Sequence, residues 1–221
     1  MKTLLHSLGI NRPLLHGGVR IAILSVFLFG SGGCSVILPD KTSTPTVAPS
    51  PSLTPDAVME EEMVYAALVK ALYPSSSMLV IMDQAQTSVL GLADETTYQH
   101  VEGSLKHLSA DTMQDFRTNN TASQTLRASM VLSVQYNLFS QNDRQELFKI
   151  NQSGWDVFYN RYPDAPGIIT FSKVGFNKTL DQALVYLGIQ SNWLAGSGNF
   201  YLLKKVGGNW VIDEQVISWV S

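Results

Sequence analysis

The sequence predicts an α+β fold: N-terminal helices packed on a bent antiparallel sheet that finishes as a cone-like C-terminal β-meander. Three observations predict it. Between Val58 and Leu72, apolar residues recur at helical spacing. From Met130 the period switches to two, with Met130, Leu132, Val134, Tyr136 and Leu138 alternating with Val131, Ser133, Gln135 and Asn137. Near the end, Val206-Gly207-Gly208-Asn209-Trp210 sets residues able to take positive φ between two alternating runs, which specifies a tight hairpin. Elements of these kinds bury their apolar faces by packing helices on one face of a sheet.

Each element has its own local warrant. Thr54-Pro55-Asp56 combines a capping oxygen with a proline in the first turn, a helix start. Val58, Tyr65, Leu68, Val69 and Leu72 share one face, and Pro74 with a serine triplet ends the helix. Met78 to Met82 is a short apolar run, the pattern of a buried strand. Val101, Leu105 and Leu108 mark a second helix. Ser109, Met113 and Phe116 mark a third, stopped by Asn119-Asn120. Ser140 with Asp143 and Ser153 with Asp156 have the spacing of helix caps. The second of these helices carries an aromatic face of Trp155, Phe158, Tyr159 and Tyr162, closed by Pro163 and Pro166. Residues 167–174, 182–187, 199–206 and 210–219 complete the meander. In the last strand, a bulge near Asp213–Gln215 would restore an apolar face and bend the chain.

Ahead of this domain the composition changes. Lys2, Arg12 and Arg20 are the only Lys, Arg, Asp or Glu residues before Cys34. A nine-residue apolar core, Ile21 to Phe29, follows them. It falls short of the ~20 residues a spanning helix needs and reads as a signal core. Gly30-Ser31-Gly32-Gly33 then leads to Cys34, the only cysteine, and five of the nine prolines lie between Pro39 and Pro55. Such a tract cannot bury enough apolar surface to offset the entropy of ordering. The sequence therefore divides into a signal peptide (1–33), Cys34 with a Pro/Ser/Thr-rich linker (34–55) and a single globular domain (56–221).

The arrangement around Cys34 resembles a bacterial lipoprotein signal. That resemblance implies a diacylglyceryl thioether on Cys34, a bilayer as partner, and a domain held outside the cytoplasm at the cell envelope. Two acyl chains anchor a protein stably where one does so only marginally. Cleavage by an ordinary signal peptidase, leaving Cys34 a thiol, and retention as an uncleaved anchor are the alternatives.

Composition excludes some functions. Beyond residue 33 stand twelve Lys and Arg against eighteen Asp and Glu, a formal charge of −6 with no basic run. Nucleic-acid binding, which needs clustered cations facing phosphates, is not expected. No serine elbow, zincin pair, Walker loop or dinucleotide fingerprint is present, so no cofactor and no metal site is expected. Gly196-Ser197-Gly198 lacks a helix behind it and reads as a strand connection. His100 and His107 would lie roughly 10 Å apart along a shared helix face, too far for one metal and the pattern of a solvated face. Trp155, Trp193, Tyr201 and Trp210 offer broad apolar surface with one polar atom each, suited to a ligand pocket or to core.

The closing run GSGNFYLLKKVGGNWVIDEQVISWV resembles the end of nuclear-transport-factor-two-like domains, which implies a cone of helices on a curved sheet. That family hosts both enzymes and binding modules, so the fold would not fix the function. Two functional expectations follow. One is a non-catalytic, membrane-anchored binding or assembly module for a small molecule or protein. The other is a small hydrolase or isomerase-type enzyme with an acid–base pair among His100, Asp111, Asp115 and Asp181. The anchor is testable directly. Metabolic labelling with palmitate should mark the protein, and Cys34→Ser should abolish both the label and membrane retention. Retention of unlabelled wild-type protein would sink the lipid assignment.

Overall fold

Pro55 opens α1 (Pro55–Leu72), where its missing N–H would have had no helical partner in any case. A computed structural model describes residues 55–87, 94–149 and 153–221; the signal segment, Cys34 and the linker to Thr54 lie outside the described residues. After α1 come β1 (Met78–Met82), α2 (Glu95–Ser104), α3 (Ala110–Asn119), β2 (Gln135–Phe139), α4 (Gln141–Phe148) and α5 (Gly154–Arg161). The meander follows as β3 (Ile168–Phe171), β4 (Gly175–Phe176), β5 (Gln182–Asn192), β6 (Ala195–Val206) and β7 (Asn209–Val220). Caps fix several boundaries. Asp94 accepts from Thr96 N–H and Ser109 from Thr112 N–H, while Ser140 and Asp143 form a reciprocal capping box.

The helices pack on an open, seven-stranded sheet in the order β2-β1-β3-β5-β6-β7, with β4 paired to β5. The C-terminal meander β5-β6-β7 is antiparallel, and Gly207 and Gly208 turn between β6 and β7 at φ of 59° and 83°. The N-terminal half of the sheet departs from the antiparallel expectation. β1 runs parallel to both β2 and β3, so the sheet is mixed. Parallel neighbours need a crossover: α2 and α3 lie in the one from β1 to β2, and α4 and α5 carry the chain from β2 past β1 to β3. The alternation from Met130 to Leu138 holds in burial, but only Gln135–Phe139 joins the ladder. Met130, Leu132 and Val134 instead pack against the core beneath α1.

Alternation along the strands splits the core between two faces. On one, Leu79, Ile81, Ile169, Phe171, Val185 and Leu203 meet α1 through Val64, Tyr65, Leu68 and Val69. On the other, α2 and α3 cover Leu184, Tyr186, Phe200 and Leu202, while Trp155 and Phe158 of α5 sit with Val80, Met82 and Ile168. The helices thus occupy both faces, with α2/α3 and α4/α5 side by side on the second.

Between β3 and β4 the ladder to β5 breaks at Ser172-Lys173-Val174, all buried. Buried backbone groups require partners; the Ser172 N–H finds the Tyr186 carbonyl of β5 at 3.0 Å, and side chains from two helices supply the others. From α1, Glu61 accepts the Val174 N–H at 3.2 Å and pairs with the Lys173 ammonium, while the Tyr65 hydroxyl reaches the Ser172 carbonyl at 2.8 Å. From the end of α3, Asn120 accepts the Lys173 N–H at 2.9 Å and donates to its carbonyl at 3.0 Å; Asn119 donates to the Val174 carbonyl at 3.0 Å. The asparagines expected only to stop α3 also dock it.

Two register shifts bend β7. The first leaves Asp213 unpaired between Ile212 and Glu214, where the alternation required it. Ile212 and Trp210 then face α1, and Val216 faces α2 and α3. The second leaves Ser218 unpaired and puts Trp219 opposite Gly198, on the face away from Ile217. Simple alternation would have set Trp219 with Ile217.

Trp210 is buried, its indole N–H donating to Glu60 at 2.7 Å, with the Lys205 ammonium over its ring. Trp193 is 47% exposed and meets the Phe148 ring edge-on. Trp210→Ala should therefore cost about 3–5 kcal/mol, and Trp193→Ala no more than about 1.5 kcal/mol. Chemical denaturation of the two variants checks this; a Trp210→Ala cost under about 1 kcal/mol would contradict the buried indole.

Candidate functional site: a cleft beside the fourth helix

A cleft of about 740 Å³ opens on the second face of the sheet, over β3 and β5 and beside the first turn of α4. Its position follows from the topology. The chain leaving β1 runs to α2 and α3 over β5 and β6, whereas the chain leaving β2 turns into α4 beside β1 and β3. Connections that diverge from adjacent parallel strands leave a crevice at the strands' carboxyl ends.

One wall is the segment after β1. Its extended path is held by the Ala85 N–H on the Gln124 carbonyl and the Gln86 N–H on the Phe171 carbonyl, both at 2.7 Å. Gln84, Gln86 and Thr87 line the cleft from here. Across from it, the Ser140–Asp143 capping box fixes the first turn of α4, from which Gln141 and Arg144 line the space. Arg144 Nη2 donates to Gln190 Oε1 of β5 at 2.8 Å. Ile168, Thr170 and Gly188 form the floor.

The remaining wall is aromatic. Trp219 Nε1 donates to the Tyr186 hydroxyl at 2.7 Å, and both side chains line the cleft. Glycines give this pair its room. A Cβ on Gly198 would fall 2.2 Å from both Trp219 Nε1 and the Tyr186 hydroxyl, and one on Gly196 would fall 2.9 Å from the Trp219 ring. Gly196-Ser197-Gly198, expected as a connection, lies inside β6 as the bed on which the indole rests. Glycine within a strand commonly marks such close approach.

Among the described residues, Arg144 is the only charged side chain lining the cleft. Partial burial holds its guanidinium below the usual arginine range, and burial pushes the Tyr186 phenol up against the opposing effect of the Trp219 hydrogen bond. Uncharged amides, hydroxyls, an indole edge and the apolar side chains of Met82, Ile168 and Ile189 make up the rest, a set suited to holding and orienting a ligand.

The aromatic residues proposed from sequence do not gather here. Trp155 is buried under α5 against Phe148 and Phe158, and Trp193 lies on the outer side of Phe148. Tyr201 and Trp210 belong to the core on the α1 face. The four residues thus fall on opposite faces of the sheet, and none lines the cleft. The acid–base candidates also separate. His100 is exposed on α2, while His107 lies beyond that helix's end, so the two share no helix face. His107 pairs with Asp213 at 2.9 Å. Asp111 and Asp115 accept the backbone N–H groups of Lys178 and Phe176, tying α3 to the β4 region, and Asp181 closes a turn with Asn177 and Thr179. Among the described residues no cluster of three His, Cys, Asp or Glu could hold a metal ion.

Sequence reasoning missed Arg144, Tyr186 and Trp219. The available signal was the spacing Gly188, Gly196 and Gly198 in strand-like segments, each a place where something lies close against the backbone. No family model, curated protein or solved structure matches the chain.

Gly198→Ala should displace the Trp219 indole, costing about 1–3 kcal/mol by overpacking. The side-chain N–H resonance of Trp219 should shift more than those of Trp155, Trp193 and Trp210. A variant with unchanged stability and an unmoved Trp219 signal would contradict the close contact.

Proposed function

We propose that this protein is a membrane-anchored, non-catalytic binding module of the bacterial cell envelope, tethered through Cys34 and taking a small ligand in the cleft beside Arg144. The observation that carries the reading is the cleft itself. Its ~740 Å³ falls in the ~300–1,000 Å³ range of small-molecule sites. It lies at the carboxyl ends of parallel strands and is lined by apolar and neutral polar groups around one cation. The anchoring half rests on the signal-like segment before Cys34 and the proline-rich tract behind it. Among the described residues no helix is long and apolar enough to cross a membrane, so a lipid on Cys34 would carry the attachment.

A ligand that binds only the folded state stabilises it by RT ln(1 + [L]/Kd), about 2.7 kcal/mol at a hundredfold excess over Kd. A thermal-shift screen of small metabolites should therefore raise the Tm of the wild type and not of Thr170→Trp, whose indole would fill the cleft floor. Stabilisation that survives Thr170→Trp would place binding elsewhere. Turnover of ester or isomerase probes, lost in the same variant, would favour the enzyme.

A further inference from the structure

Arg144 lines the cleft, and among the described residues neither an Asp or Glu nor Ser221, which also lines it, forms an ion pair with the guanidinium. Its hydrogen bond to Gln190 is made to a neutral amide. A guanidinium has five N–H donors, so others stay open for a second acceptor. A partly desolvated cation without a counter-charge is costly, and a bound anion relieves that cost. Asp83 follows Met82 at the end of β1 but is not among the lining residues, so the lining side chains carry no negative charge.

The same surroundings select among anions. A phosphate dianion is usually met by several cations or by an open helix N-terminus. Here a single cation is present, and the first turn of α4 is already capped by the Asp143 carboxylate, one residue before Arg144. A second negative charge on the ligand would be unmatched. A planar carboxylate suits one guanidinium by forked hydrogen bonding. Gln86, Gln141 and Thr170 then offer donors and acceptors to neutral polar groups, and the Trp219 indole offers an apolar face.

We infer that the ligand of this cleft is a small organic monoanion, its carboxylate held by Arg144 and its hydroxyl- or amide-bearing body lying against Trp219. This rests on the reading of the cleft as a ligand site. The test uses paired probes on the full chain: galacturonate against galactose, benzoate against benzamide, and inorganic phosphate. The side-chain N–H signals of Trp219 and Arg144 are followed by NMR. Carboxylates should move both signals and bind about ten- to a hundredfold tighter than their neutral partners. Arg144→Gln should erase that preference. So should Gln190→Glu, which leaves Arg144 in place and sets a carboxylate against it. Trp219 should keep its folded position in both variants. Equal binding of neutral partners, a preference unchanged in either variant, or phosphate binding best would overturn the monoanion while leaving the cleft a site. If no probe moves either signal at millimolar concentration, the inference and the cleft reading fall together.

Discussion

Everything in this domain is arranged around three buried residues that belong to no strand. Ser172-Lys173-Val174 interrupts the ladder where β3 gives way to β4, in the interior and out of reach of water. A buried backbone group left unpaired costs about 1–3 kcal/mol, so the break is tolerable only with side chains aimed into it. Glu61 and Tyr65 of α1 arrive from one face of the sheet, and Asn119 and Asn120 of α3 from the other. Two helices on opposite faces are thereby registered against the same three residues. Apolar packing alone would leave each free to slide by a turn; directional bonds to fixed carbonyls and N–H groups do not.

Glu60 extends the arrangement along α1. It pairs with Lys205 and accepts the Trp210 indole N–H, tying the same helix to the β6–β7 hairpin. Consecutive buried glutamates thus reach the middle of the sheet and its far side from a single helical turn. Breaking a buried pair by removing one partner is far more damaging than never having built it. The role of these charges is accordingly to specify where α1 sits rather than to add stability. With α1 and α3 fixed, the α2/α3 pair stands beside α4/α5 on the second face, where the cleft opens at the first turn of α4.

Features encoded within a few residues were legible in the sequence. The cap at Ser140, the Gly207-Gly208 hairpin and the bulge at Asp213 each depend on neighbours close along the chain, although the Ser153 side chain expected to cap α5 makes no cap hydrogen bond. Pairing across distance was not legible. β1 meets β2 and β3 in parallel from more than fifty residues away, and nothing in an apolar run states the direction of its partner. The burial of Glu60 and Glu61 was not legible either, since a carboxylate reveals its burial only through the lysine that meets it. The cleft failed for the same reason: its residues run from Met82 in β1 to Trp219 in β7. The bulge at Ser218 that turns Trp219 into it has no signature in a strand that already looked complete.

That second bulge has a bearing on how the molecule behaves in company. β7 is the outermost strand at one edge of the sheet, and Val211, Ile217 and Val220 are exposed on it. A flat twelve-residue edge of this kind is a template on which another chain could zip, the first step of edge-to-edge aggregation. The irregularities at Asp213 and Ser218 divide it into three short stretches, each twisted away from the last. A partner strand in regular register would lose its hydrogen-bond match within a few residues. The kink that aims an indole into the cleft thus also guards the sheet's open border, a protection of value to any protein crowded among copies of itself.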